Sequence, residues 1–255
     1  MNTLQTRYTA SCIFLIALAT AASGWWLFCR PPVSSAAESP RPAIVIDPGH
    51  GGNDSGAAGG SAGVEKDICL TLAQMIYIEL ESTYRIVLTR NADYTPELFT
   101  RTQTANQSKA STFVSLHTGA SVQPHANGVT VFYYSHPALR PSSPSDTTTG
   151  AEGLNSLGPT HWEHAQWRYL SGSQKLAGMV GEHLSNDLTD VPVTVQGAPV
   201  AVLAGANMPA VMVEIGYLSH PKEARNLKNR DTLEVYAKSI SSAVQAFLSQ
   251  HLNTE

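Results

Sequence analysis

Short apolar runs alternate with helical stretches along most of this chain, and no other feature narrows its possible folds as far. AIVID at 43–47 stops at Pro48-Gly49-His50-Gly51-Gly52, which reads as a strand entering a glycine-rich turn. A helix is expected from Lys66 to Glu81, where Ile68, Leu72, Met75, Ile76 and Leu80 recur at helical spacing. Further strands are expected at 84–89, 112–117, 129–134 and 210–214. Further helices are expected at 96–110, with Pro96 in the first turn, at 171–188 and at 233–252. The last carries Leu233, Tyr236, Ile240, Val244, Phe247 and Leu248 on one side, and His183 on the helix before it reads as a core residue. This rhythm predicts an α/β fold: a single domain at 43–252 with a mostly parallel central sheet flanked by helices. Ligands of such sheets bind beyond the carboxyl ends of the strands. His50, His117 and Glu214 all fall there.

Residues 136–170 break the rhythm. The first half is rich in Pro, Ser and Thr, and the second carries Trp162, Trp167 and Tyr169. A segment this long inside a compact domain is expected to be an inserted loop or a lid. His161 and His164 have no third ligand nearby and read as surface histidines.

The chain also has a distinct beginning. Ser11 to Phe28 is an uncharged apolar stretch of 18 residues, followed by the Pro/Ser/Ala-rich RPPVSSAAESPRP. Residues 1–37 therefore read as a signal peptide or a signal anchor, and 38–42 as a linker. Either reading exports the rest of the chain to the periplasm or cell envelope, with membrane contact through the N-terminal segment alone. Among 255 residues, 16 basic and 20 acidic side chains give a net charge of −4 with no basic stripe, which argues against a nucleic-acid partner. Three cysteines cannot build a disulfide framework, and Cys69 reads as a small hydrophobe beside a helical stripe.

His50, Glu65 and His117 form one candidate metal set. Zinc accepts imidazole nitrogen and carboxylate oxygen, and its catalytic sites use three protein ligands and keep a fourth position open. Magnesium and calcium prefer oxygen alone. Glu214 follows the apolar run Pro209-Ala-Val-Met-Val213, so burial is expected to raise its pKa, as a general base near neutral pH requires. Taken singly, each of the four reads as readily as a buried, paired structural residue, and nine histidines offer many chance pairs.

Five blocks in one order change that balance. IVIDPGHGGNDSGA, EKDICLTLAQMIYIEL, LFTRTQTANQSKASTFVSLHTGAS, GVTVFYY and MPAVMVEIGYLSHPKEARNL together resemble the zinc-dependent N-acetylmuramoyl-L-alanine amidases of bacterial cell walls, the Amidase_3 type. The resemblance runs from about Ile44 to the C-terminus, interrupted mainly by the insertion. It implies zinc as cofactor, with His50 of DPGHGG, Glu65 of the E-K-D block and His117 of S-x-H as ligands. It implies Glu214 of P-A-V-x-V-E-x-G-F/Y as the catalytic glutamate, peptidoglycan as substrate, and room for a protein activator. Arg101 and Asn106 match a helix pattern of the family and read as structural. One departure stands out. Gly119 occupies the place of Asn in the family's S-x-H-x-N-A, which is expected to change a hydrogen bond near the metal or loosen the loop. The competing readings are a non-catalytic peptidoglycan-binding or regulatory protein on the same fold, and a zinc carboxypeptidase or deacetylase acting on the same polymer.

Overall fold

The computed structural model describes residues 41–59, 63–121, 126–136 and 162–251. The expected signal or anchor segment and most of the insertion lie outside them. Among the described residues no helix is long and apolar enough to cross a membrane.

In chain order the elements are β1 (Ala43–Pro48), α1 (Glu65–Leu80), β2 (Arg85–Leu88), α2 (Leu98–Gln107), β3 (Thr112–Gly119), β4 (Val129–Tyr134), a 3-10 turn (Trp162–Tyr169), α3 (Leu170–Asp187), β5 (Val193–Ala198), a short 3-10 turn (Ala201–Leu203), β6 (Ala210–Tyr217), α4 (Pro221–Lys228) and α5 (Arg230–His251). The six strands form one sheet in the order β2-β1-β3-β6-β4-β5. Four of its five pairings are parallel, and β4 runs antiparallel to β6.

Strand alternation divides the core in two. Ile44, Ile46, Val114, Leu116, Val211 and Val213 face one side, where α1, α3 and α5 cover them. All the apolar positions expected of α1 and α5 are buried there. Leu72, fully buried, illustrates the energetic scale: its truncation to Ala should cost about 2–5 kcal/mol. The other side packs Val45, Phe113, Ala210 and Met212 under α2 and the 201–203 turn. His117 and Glu214 lie on this second side, each two or four residues along from these apolar positions.

Several expectations need correction. Helix α2 begins at Leu98 with Glu97 as N-cap, so Pro96 precedes the helix instead of sitting in its first turn. Two elements were not anticipated: edge strand β5, and α4 with Pro221 at its start and the His220 imidazole accepting from the Glu223 N–H. His183 is half-exposed on the flank of α3, not a core residue. Residues 162–169, expected within the insertion, form a 3-10 turn. There the buried Gln166 amide donates to the carbonyls of Ala206 and Met208 at 2.6 and 2.8 Å. Both described ends of the insertion sit at the amino ends of β3 and β6, because Tyr133 pairs with Val211 while Glu214 pairs with Thr130.

Candidate metal centre

The glycine-rich turn after β1 is held by arginines. Arg101 on α2 donates to the carbonyls of Pro48 (2.8 Å) and His50 (3.0 Å) and to Asp47 Oδ1 (2.7 Å). Arg90, almost fully buried, donates to the carbonyls of Pro48, Gly49 and Lys66. Asp93 adds a clamp from outside, accepting from Gly52 N–H at 2.7 Å and from Lys66 Nζ at 2.7 Å. Three side chains thus fix a turn in which His50 takes the left-handed φ of +58°, uncommon for a residue with a Cβ. Such a conformation persists only where its surroundings over-determine it.

Glu65 is the first residue of α1. The helix has no side-chain cap. Its first two N–H groups, those of Glu65 and Lys66, donate to the carbonyls of Ala57 and Ser55. The same loop returns a bond, since Ala57 N–H donates to Glu65 Oε2 at 2.8 Å. Thr118 N–H donates to Glu65 Oε1 at 2.8 Å, so each carboxylate oxygen is anchored by backbone. Each oxygen also faces an imidazole: Oε2 lies 3.1 Å from His50 Nε2, and Oε1 lies 3.0 Å from His117 Nδ1. The two rings meet edge to face with centroids 5.0 Å apart. One ligand atom from each of His50, Glu65 and His117 lies within 4.8 Å of the others.

Two glycines make this crowding possible. A Cβ on Gly49 would fall 2.5 Å from the His117 ring, and one on Gly56 would fall 2.6 Å from both Glu65 Oε2 and the His50 ring. Electrostatics follow from the contacts. For His50 the bond to Glu65 is the main cause of a raised pKa, opposed by burial and helped by Asp54. Glu65 is pushed up by burial but pulled further down by the His117 and His50 bonds, and ends well below the ordinary carboxylate range. The arrangement concentrates two imidazoles around one buried carboxylate, a donor set of nitrogen and oxygen that suits zinc.

Glu214 sits directly across from His117 in the β3–β6 register. Burial raises its pKa, with His117 lowering it and Glu65 raising it further, as expected of a carboxylate at an apolar strand end. All four residues singled out in the sequence are therefore brought to one end of the sheet.

One partner was missed. Asp54 Oδ2 accepts from His50 Nδ1 at 2.8 Å, which leaves Nε2 directed at Glu65. A carboxylate behind a ligating histidine fixes the tautomer and ring orientation. Its sequence signal is an acid four residues beyond His50, in a stretch rich in Gly, Ala and Ser. Arg101 and Asn106 are structural, as expected: Asn106 bonds Gly205 and Asn207 at the far end of the sheet. Cys69 is fully buried, and its thiol is pushed up by burial.

The N-acetylmuramoyl-L-alanine amidase family, Amidase_3, matches residues 44–246. The chain belongs to this family. AmiC of Neisseria meningitidis serogroup B is 31% identical over 222 residues, covering 82% of this chain and 53% of its own length. AmiC of Escherichia coli is 29% identical over 220 residues, covering 81% and 52%. The chain thus spans about half the length of these curated relatives. Two solved amidase structures fit along nearly their whole length. The CwlV catalytic domain from Bacillus (Paenibacillus) polymyxa is 26% identical with a TM-score of 0.65, covering 82% of this chain and 98% of that one. An N-acetylmuramoyl-L-alanine amidase from Clostridium difficile is 26% identical with a TM-score of 0.66, covering 84% and 100%.

Proposed function

We propose that this protein is a zinc-dependent N-acetylmuramoyl-L-alanine amidase that cuts peptidoglycan at the amide between the lactyl group of N-acetylmuramic acid and the L-alanine of the stem peptide. The observation that carries the reading is the convergence of His50, Glu65 and His117 with Glu214 on the adjoining strand. Family membership supports the substrate.

His50, Glu65 and His117 would hold the ion, with Asp54 orienting His50. When bound, zinc supplies a polarised carbonyl and a water whose pKa is about 7. Glu214 does the proton work. Its carboxylate takes a proton from the attacking water and delivers it to the leaving nitrogen. A carboxyl raised above its ordinary pKa of 4.5 by burial serves both steps better than an exposed one. Arg90 and Arg101 keep the His50 turn rigid through the cycle.

Glu214→Gln tests this directly. The variant should keep zinc and lose turnover by about 10²–10⁴-fold. Product analysis separates the competing chemistries. New L-alanine amino termini mark an amidase, released D-alanine a carboxypeptidase and released acetate a deacetylase. Zinc binding with peptidoglycan affinity and no product would mark the binding-protein reading.

Export to the cell envelope is part of the proposal, with residues 1–37 as signal peptide or anchor. So is a protein activator. One solved relative, the CwlD amidase of Clostridioides difficile, 25% identical with a TM-score of 0.61, is in complex with the GerS lipoprotein. Binding of an envelope protein that raises peptide release by this chain would support that part.

A further inference from the structure

Tyr217 lies three residues beyond Glu214, so regular alternation would send its side chain to the opposite face of β6. The strand does not alternate regularly. His117 pairs with Glu214, but Gly119 pairs with Tyr217, so two residues on β3 are matched by three on β6. This is a β-bulge, with Gly216 at φ +132°. Ile215 stays in the core on one side, and the extra residue turns Tyr217 onto the side of Glu214 and His117. Bulges of this kind re-aim side chains next to active sites.

The ring is then flanked at both ends. A Cβ on Gly119 would fall 2.7 Å from Tyr217 Cδ1 and Cε1, so the ring rests directly on the bare glycine. The phenol lies beside the Thr130 side chain on β4, and Thr130 is the residue paired with Glu214. Glu223 secures the backbone, accepting from Tyr217 N–H and from Gly128 N–H at 2.7 Å each. Gly119 itself is buried, and its carbonyl accepts from Leu218 N–H. It makes room for an aromatic ring beside Glu214.

Glu214 must come within about 3 Å of the leaving nitrogen to protonate it. The side chain of the residue that bears this nitrogen begins two bonds away. It must meet whatever flanks Glu214 on this face. We propose that Tyr217 is a substrate-contacting residue whose ring, seated on Gly119, forms the wall against the first residue of the leaving stem peptide and selects a small side chain there. This rests on the amidase reading.

The test uses the zinc-loaded protein and soluble muramoyl peptides that begin with L-alanine or L-leucine. The parent should prefer alanine. Tyr217→Ala should lower kcat/KM for the alanine substrate and shift the alanine-to-leucine preference by about tenfold, with zinc content unchanged. Tyr217→Phe keeps the ring and should retain the parent's preference. Gly119→Ala should displace the ring and reproduce the loss, while adding nothing in the Tyr217→Ala background. Tyr217→Leu serves if Tyr217→Ala does not fold. An unchanged preference in the ring-less variants, or additive effects of the two sites, would overturn the proposal. A parent that binds zinc and releases no peptide would refute the amidase reading instead. Calorimetric binding of the alanine muramoyl peptide, weakened about tenfold by Tyr217→Ala if the contact exists and unchanged if it does not, then decides the role of Tyr217.

Discussion

Asp47 and Glu65 are both buried carboxylates at the carboxyl end of the sheet, and they are built for opposite purposes. Asp47, one residue before the end of β1, has only fixed partners: Arg101 at 2.7 Å, Ser115 at 2.7 Å and the Thr89 hydroxyl. Its countercharge is a guanidinium that never loses its proton. Glu65 also has anchored oxygens, but the groups facing it are two imidazoles, side chains that can bind a metal ion. The first cluster fixes the turn that carries His50. The second is left convertible. Rigidity in one supports the shape of the other.

The largest effect should come from the convertible side. Glu65→Gln should abolish zinc retention, measured by metal analysis, and reduce peptide release to background while the protein stays folded. Asp47→Ala should do the reverse first. It leaves Arg101 buried without its partner and should cost about 3–5 kcal/mol in denaturant unfolding, with or without zinc. Equal loss of stability in the two variants would erase the distinction.

Asp54→Ala sharpens it further. Asp54 is exposed and touches the cluster only through His50 Nδ1, so stability should change little while zinc affinity falls about 10–100-fold by chelator competition.

The smallest effect is the dependence of stability on pH. In the metal-free protein, the raised His50 pKa gives stability that is complete below 6.5 and lost as pH rises through the folded value. The lowered Glu65 pKa gives stability that is complete above 4.5 and lost on acidification. Both contributions are therefore full between 4.5 and 6.5, and the metal-free Tm should fall from pH 6 to pH 8. Zinc competes with the same protons, so the gap between zinc-loaded and metal-free Tm should widen over that range. A constant gap would mean that protons and metal do not share the site.

Much of this was legible in the sequence because strand ends are legible. His50, His117 and Glu214 each terminate an apolar run, and the α/β rhythm brings such ends together. All four still read as readily as structural residues until the family pattern is weighed, and Glu65 has the least local signal, because an acid at the mouth of a helix is common. What escaped notice depends on geometry that spacing does not encode. VTVQGA of β5 is an exposed edge strand whose apolar residues do not form a run. Asp54 lies among Gly, Ala, Ser and Asn and gains meaning only when the turn curls it back onto His50. Tyr217 is misassigned by any count of two, since the bulge at Gly216 reverses its face.

The most direct test of the whole account compares the purified protein with Glu214→Gln, measuring zinc per chain and free stem peptides from peptidoglycan in the same preparations. About one zinc per chain is expected in both, with L-alanine amino termini from the parent and a loss of about 10²–10⁴-fold in the variant. Undiminished release by Glu214→Gln, or release by a parent that holds no zinc, would contradict it.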